Sequence, residues 1–337
     1  MADVAQRAGV STMTVSNVLN GRKVQPDTRA AVLAAVKELN YTPNPAARAL
    51  ASASMIRIGL VYRSIETAFL SAVLVGALDA TARLGAQLLI RRYDDDAAES
   101  GVAAVNALVD AGASALLLPA PFAEAASRLD LGTAAGVPLM ALSPGGELPN
   151  MAAVRIDDFG AARDMTALLI GLGHRRIGFI RGPETHMIGV TRHDGYRAAL
   201  ARHGIAADPA LIVAGALNFE SGLAAAERLL ALADPPTAIF ASNDDMAVAV
   251  LSLAHRRGLA IPEQLSVAGF DDSPIATKIW PTLTTVRQPI AAIADLATER
   301  LMQRLRAHPG EEVAQPATSY LRYDLVTRAS TGPAPAR

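Results

Sequence analysis

Arg192, Asn243 and Asp271, together with Phe219, carry the side-chain chemistry that recognises a polyol. Vicinal hydroxyls take paired hydrogen bonds from a guanidinium, an amide or a carboxylate, and the apolar face of a sugar ring stacks on an aromatic. Each of these residues stands beside a short apolar run. Asn243 follows "TAIFAS", Asp271 follows "LSVAGF", Phe219 follows "ALIVAGALN", and Arg192 follows "GFIRGPETHMIGVT". Tyr62 and Arg63 close "RIGLVY" in the same way. Taken singly, an Asp or Asn after a strand is as well explained as the cap of the next helix, and Asp244 and Asp272 are expected to act as caps.

Catalysis is not expected of these carboxylates. Asp94–Asp96, Asp157 with Asp158, Asp244 with Asp245 and Asp271 with Asp272 are neighbours in sequence, and adjacent side chains do not converge on one bond. There is no G-x-S-x-G elbow, no H-E-x-x-H, no Walker glycine loop and no G-x-G-x-x-G after a strand, so neither an enzyme nor a cofactor is expected. The absence of cysteine removes disulfides and thiolate metal sites. His174, in "GLGHRR", is expected as a cation favoured by the end of a helix. His186 and His193, close to Arg192, are within reach of a ligand there, but solvated loop positions are the expectation for both.

The runs that carry the polar residues set the fold class. "RIGLVY", "AQLLIRRY", "ASALLLPA", "VPLMAL", "RRIGFIRG", "ALIVAG", "TAIFAS" and "LSVAGF" alternate with alanine-rich helical segments such as 70–84, 160–172, 192–203 and 243–257. Such alternation predicts parallel, doubly wound sheets covered on both faces, with ligands at the carboxyl ends of the strands. It continues through most of the chain, enough for two such units.

Ahead of this body lies a segment of another kind, "VAQRAGVSTMTVSNVLNG", residues 4–21. Val4, Ala5 and Ala8 form one face of a first helix, Gly9 permits a sharp turn, and Ser11 is placed to cap a second helix. Val15, Val18 and Leu19 turn inward at helical spacing, which leaves Thr12, Met13, Ser16, Asn17 and Asn20 on the other side. Two short helices with a glycine turn match a helix-turn-helix, whose second helix lays its first residues against base edges in the major groove. A plain helical hairpin with a solvated face fits the same residues. Met13 suits a thymine methyl, Asn17 a base edge and Thr12 either. "QPDTRAAVLAAVKELNY" supplies a third helix, with Pro26 in its first turn, Asp27 at its positive end and Val32, Val36 and Leu39 inward. "YTPNPAARALASAS" reads as a linker enclosing a short helix begun by Pro45.

Charge follows the same division. Residues 1–50 hold the basic side chains Arg7, Arg22, Lys23, Arg29, Lys37 and Arg48 against three acids, a balance of +3, which leaves −4 on the rest of the 337-residue chain. A basic head on an acidic body suits contact of the head alone with a polyanion. Phosphate contacts are expected from Arg7, Arg22, Lys23 and Arg29. No apolar run reaches the roughly 18 residues of a membrane span and no export signal opens the chain, so a cytoplasmic protein without membrane association is expected.

These segments, with "TRAAVLAAVKELNYTPNPAARALA", "GLGHRRIGFIRGP", "RHDGYRAAL", "AIFASNDDMAVAVL", "VAGFDDSPIA" and "PTLTTVRQP", together resemble the LacI/GalR family of transcriptional repressors. The likeness covers nearly the whole chain in family order. It implies an N-terminal all-α helix-turn-helix head with a hinge helix, and an α/β core of two doubly wound parallel-sheet subdomains of the type I periplasmic-binding-protein kind. The implied boundaries are 1–43 for the head, 44–54 for the hinge, 55–155 with 287–317 for one subdomain, 156–286 with 318–328 for the other, and a disordered tail over 329–337.

On the same resemblance, Thr12, Met13 and Asn17 match base-reading positions, and Leu50 matches the hinge leucine that wedges into a minor-groove base step. Arg48 beside it is a further expected DNA contact. Arg192, Phe219, Asn243 and Asp271 match effector-binding positions. Ser143 falls where many relatives have an aspartate that binds an effector hydroxyl, and Arg63 where a smaller residue is common. Losing an acid and gaining a cation would favour an effector with a carboxylate or phosphate. The chain also starts closer to its first helix than the family does, which predicts loss of an N-terminal phosphate contact. The protein expected from all this is a DNA-binding repressor, a homodimer on a near-palindromic double-stranded operator, controlled by a sugar-like small molecule. The tail "STGPAPAR" has no leucine heptads, so no terminal coiled coil is expected. The alternative, a solute-binding protein with the same core, predicts an export signal and no helix-turn-helix.

Overall fold

The computed structural model describes residues 1–19, 24–39, 41, 55–63, 68–93, 98–307 and 317–336. They fall into two compact units divided after Met55.

In the first unit the helices are α1 (Ala2–Ala8), α2 (Thr12–Leu19) and α3 (Pro26–Glu38). Helices this short are marginal in water. What holds them is a small shared core of Val4, Ala5, Val15, Val18, Val32 and Ala35, none more than 5% exposed. Gly9 ends α1 with φ at 66°, a left-handed conformation that glycine adopts without a Cβ penalty. Ser11 caps α2, its Oγ accepting from the Thr14 N–H at 3.1 Å. Pro26 opens α3 and Asp27 lies in its first turn. Leu39, expected inside, is 42% exposed; α3 ends one residue earlier, so Leu39 has left the helical path whose inner face carries Val32 and Ala35. Arg7, expected on a phosphate, pairs with Glu38 at 2.7 Å, both side chains about half exposed, a contact worth at most about 1 kcal/mol.

The second unit begins with β1 (Arg57–Tyr62), α4 (Ala68–Leu84), β2 (Gln87–Arg92), α5 (Ala98–Asp110), β3 (Ala115–Pro119), α6 (Phe122–Arg128), α7 (Leu131–Ala134), β4 (Leu139–Leu142) and β5 (Ala152–Arg155). It continues with α8 (Asp158–Gly171), β6 (Ile177–Arg181), α9 (Met187–Arg202), β7 (Ile212–Ala214), α10 (Phe219–Leu230), β8 (Ala238–Ala241), α11 (Asp244–Arg256), β9 (Ser266–Asp271) and β10 (Thr284–Arg287). Then come α12 (Ile290–Arg306), β11 (Thr318–Tyr320) and β12 (Asp324–Val326).

Two six-stranded sheets result, ordered β11-β5-β4-β3-β1-β2 and β12-β10-β9-β8-β6-β7. Every pairing is parallel except β12 on β10. All eight apolar runs read as strands are strands. Most are buried along their length, as the "ALLLP" of β3 is, because helices cover both faces of a parallel sheet. The chain passes between the sheets three times, between β5 and α8, between β10 and α12, and between β11 and β12.

Two expectations about the carboxyl end are corrected. Residues 318–320 were expected in the second half, but β11 pairs with β5 in the first sheet, Ser319 opposite Val154, so the last crossing falls after Tyr320. The tail expected to be disordered is packed on the second sheet over residues 329–336. Ser330 is fully buried; its Oγ donates to the Val267 carbonyl at 2.6 Å and accepts from the Thr284 N–H at 2.8 Å. His174 helps to hold this tail. Its ring is buried, with Nδ1 at 2.9 Å from Thr237 Oγ1 and Nε2 at 3.1 Å from both Ser266 Oγ and the Gly332 carbonyl. Burial lowers its pKa, so it is a neutral pin rather than the expected helix-end cation.

Candidate functional site

In the first unit, α2 presents Met13, 67% exposed, and Thr12, with Ser16 and Asn17 half-buried beside them. None of its eight residues is charged. The face therefore offers a methyl-bearing thioether, a hydroxyl and an amide, groups that distinguish bases by hydrogen bond and by methyl contact. Arg29 is half-buried in α3. Asn20, Arg22, Lys23, Arg48 and Leu50, and the expected hinge 44–54, lie outside the described residues.

In the second unit, the seven residues expected to bind an effector line one cleft of about 650 Å³, within the range of small-molecule sites. Tyr62 and Arg63 reach it from the end of β1, Ser143 from the end of β4, and Asp271 as the last residue of β9. Phe219 is the first residue of α10, and Asn243 the residue before α11. Arg192 comes from α9. The cleft thus opens at the carboxyl ends of the strands of both sheets, where a doubly wound fold leaves a crevice.

The polar atoms are largely held in place. Asn243 Oδ1 accepts from the Met246 N–H at 3.1 Å, and its Nδ2 donates to the Leu217 carbonyl at 2.9 Å. It both caps α11 and lines the cleft. Asp244, expected to be the cap, is instead a buried acceptor for Thr285 Oγ1 at 2.6 Å, Ser273 N–H at 2.7 Å and Ser273 Oγ at 2.9 Å; burial raises its pKa, to about 6. Asp272 is not a cap either, for its carboxylate pairs with Arg287 and Arg328, each at 2.6 Å. Burial pushes Asp271 up to about 8, against the opposing pull of Arg192. Arg192 itself is bonded to Asp158 and to the Ser242 carbonyl.

Several contributors escaped sequence reasoning. Gln288 lines the cleft and donates from Nε2 to Asp271 Oδ1 at 2.6 Å, while its Oε1 is buried without a partner. It follows a strand disguised by the threonines of "TTVR". Asp158 lies under Arg192, 34 residues away in sequence, a contact no local pattern announces. Backbone strain marks the same region. Among the described residues, the non-glycine positions with positive φ include Ser143 (50°), Leu217 (61°), Asp271 (123°) and Asp272 (54°), and the first three line the cleft. Such conformations cost roughly 1–3 kcal/mol each and gather at ligand sites. Of the histidines expected in loops, His186 lines the cleft. His193 faces into the protein, stacked on Phe179 at 5.9 Å and near Tyr196 at 6.4 Å. Among the described residues no cluster of three or more His, Asp or Glu is arranged to hold a metal, and no helix is long and apolar enough to cross a membrane.

The likeness to known proteins spans both units. Residues 1–44 match the profile of the bacterial regulatory proteins of the lacI family, and residues 166–331 that of the periplasmic binding protein-like domain. The HTH-type transcriptional regulator GalS of Salmonella typhimurium strain LT2 is 38% identical over 309 residues, covering 89% of this chain and 88% of its own. Among solved structures, the lac repressor dimer bound to operator and the anti-inducer ONPF superposes with a TM-score of 0.80 at 28% identity, covering 98% of each chain. The complex of the transcriptional regulator CelR with cellobiose gives 0.72 at 30% identity, covering 97% of this chain and 98% of that one. With relatives this similar over almost its full length, the chain belongs to the LacI family of bacterial transcriptional regulators.

Proposed function

We propose that this protein is a transcriptional repressor whose affinity for a near-palindromic operator is set by a small sugar-like effector bound in the cleft. The observation that carries the reading is the convergence of Tyr62, Arg63, Ser143, Arg192, Phe219, Asn243 and Asp271 on one cleft, in a chain whose other unit exposes Thr12 and Met13 on a short uncharged helix. Phe219, 38% exposed, supplies the face on which a sugar ring stacks, and the amide, carboxyl and guanidinium take its hydroxyls. A homodimer places two heads on two half-sites, and the cytoplasm is where such a protein meets DNA. The two sheets and their helices are the subdomains whose relative closure the effector would bias, since a ligand shifts an equilibrium only by binding one state better.

Selection of bound duplexes from a random DNA pool by the purified chain, repeated with Asn17→Ala and Leu50→Ala, tests the DNA half of the reading. The expected result is an enriched palindrome, with changed bases for Asn17→Ala and general weakening for Leu50→Ala. Enrichment without symmetry, or none at low salt, would contradict it.

A further inference from the structure

Arg192 meets the cleft as a guanidinium that is already bound. Its Nε and Nη2 both donate to Asp158 Oδ1, at 2.9 and 2.8 Å, and its Nη1 donates to the Ser242 carbonyl at 2.6 Å. Its plane lies over the Phe270 ring, 3.5 Å from the centroid. Arg192 is 3% exposed and Asp158 1%. Burial pushes the Asp158 pKa up and the adjacent Arg192 guanidinium pulls it down; the pair is ionised, because protonating Asp158 would strand a buried guanidinium that cannot lose its own proton. On the far side of Asp158, at 3.9 Å, stands Arg155. Its Nη2 and Nε donate to the Gly145 and Ile156 carbonyls, each at 3.0 Å, so that Arg192, at 2.8 Å, is the nearer partner of Asp158.

With Arg192 answered from behind, the charge left around the cleft is mostly negative. Glu220, Asp244 and Asp245 line it as acids and Arg63 as a further cation, while Asp271, its pKa raised to about 8 by burial, brings a neutral carboxyl. Ser143 Oγ, buried in the same cleft without a partner, adds a neutral donor and acceptor. An anion entering here would be desolvated among carboxylates, whereas a hydroxyl would find acceptors and donors without that cost.

We propose that Asp158 is a positioning and specificity-determining residue: by neutralising Arg192 it makes the guanidinium a hydrogen-bond fork for uncharged hydroxyls and closes the cleft to ligands bearing carboxylate or phosphate. This reverses the expectation drawn from Ser143 and Arg63, and it rests on the reading that the cleft holds the effector. Asp158→Asn keeps the shape but removes the counter-charge, so that Arg192 becomes a net cation facing the cleft.

The test uses the full chain and inorganic phosphate as the probe, so that the identity of the effector is not needed. Thermal unfolding is followed in phosphate and in sodium chloride of equal ionic strength for the wild type, Asp158→Asn, and Asp158→Asn combined with Arg192→Gln. The expected result is a saturable upward shift with phosphate in Asp158→Asn, half-complete at a concentration about tenfold or more below that of the wild type, and its loss in the double variant. A phosphate response equal in wild type and Asp158→Asn would overturn the proposal, because a merely structural role would move the midpoint without creating an anion site.

Should Asp158→Asn fail to fold, calorimetric titration of the wild type decides the matter. The probes are cellobiose against cellobionate, galactose against galacturonate, and ribose against ribose 5-phosphate. Tighter binding of the neutral member supports the proposal, and tighter binding of the anion overturns it while leaving the cleft reading intact. Sugar binding that Phe219→Ala does not weaken would instead sink the cleft reading itself.

Discussion

Asp271 ends β9 with φ at 123° and its carboxyl bonded by Gln288. Burial holds a proton on it up to a pH of about 8, while an unfolded aspartate releases its proton near about 4. The folded chain therefore binds the proton more tightly, and the stability this contributes is present at low pH and lost as pH rises toward 8. Urea midpoints measured from pH 5 to 8 should fall for the wild type relative to Asp271→Asn, and parallel profiles would contradict the assignment. On the head, Met13 and Asn17 are argued to read bases. Replacing either with alanine should cost roughly 1–3 kcal/mol of discrimination at one base-pair position, read from binding to single-base variants of the selected duplex. A loss spread evenly over all sequences would mean that the residue touches only backbone.

Elements and loops matter where they meet. Gly145, in the loop after β4, lies against the start of α9, and a Cβ there would run into the backbone of Met187 and Ile188. Its carbonyl also accepts from Thr191 Oγ1 at 2.8 Å and from Arg155 Nη2 at 3.0 Å, so this loop joins the two halves beside the cleft. Gly145→Ala should lower stability by roughly 1–3 kcal/mol and weaken ligand binding with it, as unfolding and titration would show. His174 pins the tail as a neutral ring. Its lowered pKa means that stability is present above about pH 6.5 and lost as pH falls below it. His174→Gln should flatten the decline in urea midpoint between pH 7 and 5, and an unchanged decline would refute the pin. Much at this scale was legible in advance. The eight apolar runs, the Ser11 cap, the Gly9 turn and six of the seven cleft residues could be read locally, because burial between helix layers demands continuous apolar strands and strand ends carry the ligand groups, whereas Ser143 came only from the family resemblance. What escaped was non-local or small. β5 and β10 to β12 span three or four residues each, some rich in threonine, the tail is held by a buried serine with little apolar surface, and Asp158 meets Arg192 only through the packing of α8 on α9.

At the scale of the molecule, the roles proposed for the two units, phosphate contact by the head and sugar binding by the core, must be coupled for the chain to regulate anything. If Arg22, Lys23 and Arg29 of two heads each meet a phosphate, about six contacts give a slope of roughly −5 in log affinity against log salt. A slope near −1 would show that the heads do not engage the backbone together. The coupling itself is the central claim, and the most direct test is the dissociation constant of the full chain for its selected operator, measured by fluorescence anisotropy with and without a saturating sugar. A change of about 5- to 150-fold, abolished by Phe219→Ala, is the predicted result. A sugar that binds in the cleft yet leaves the operator affinity unaltered would contradict the account.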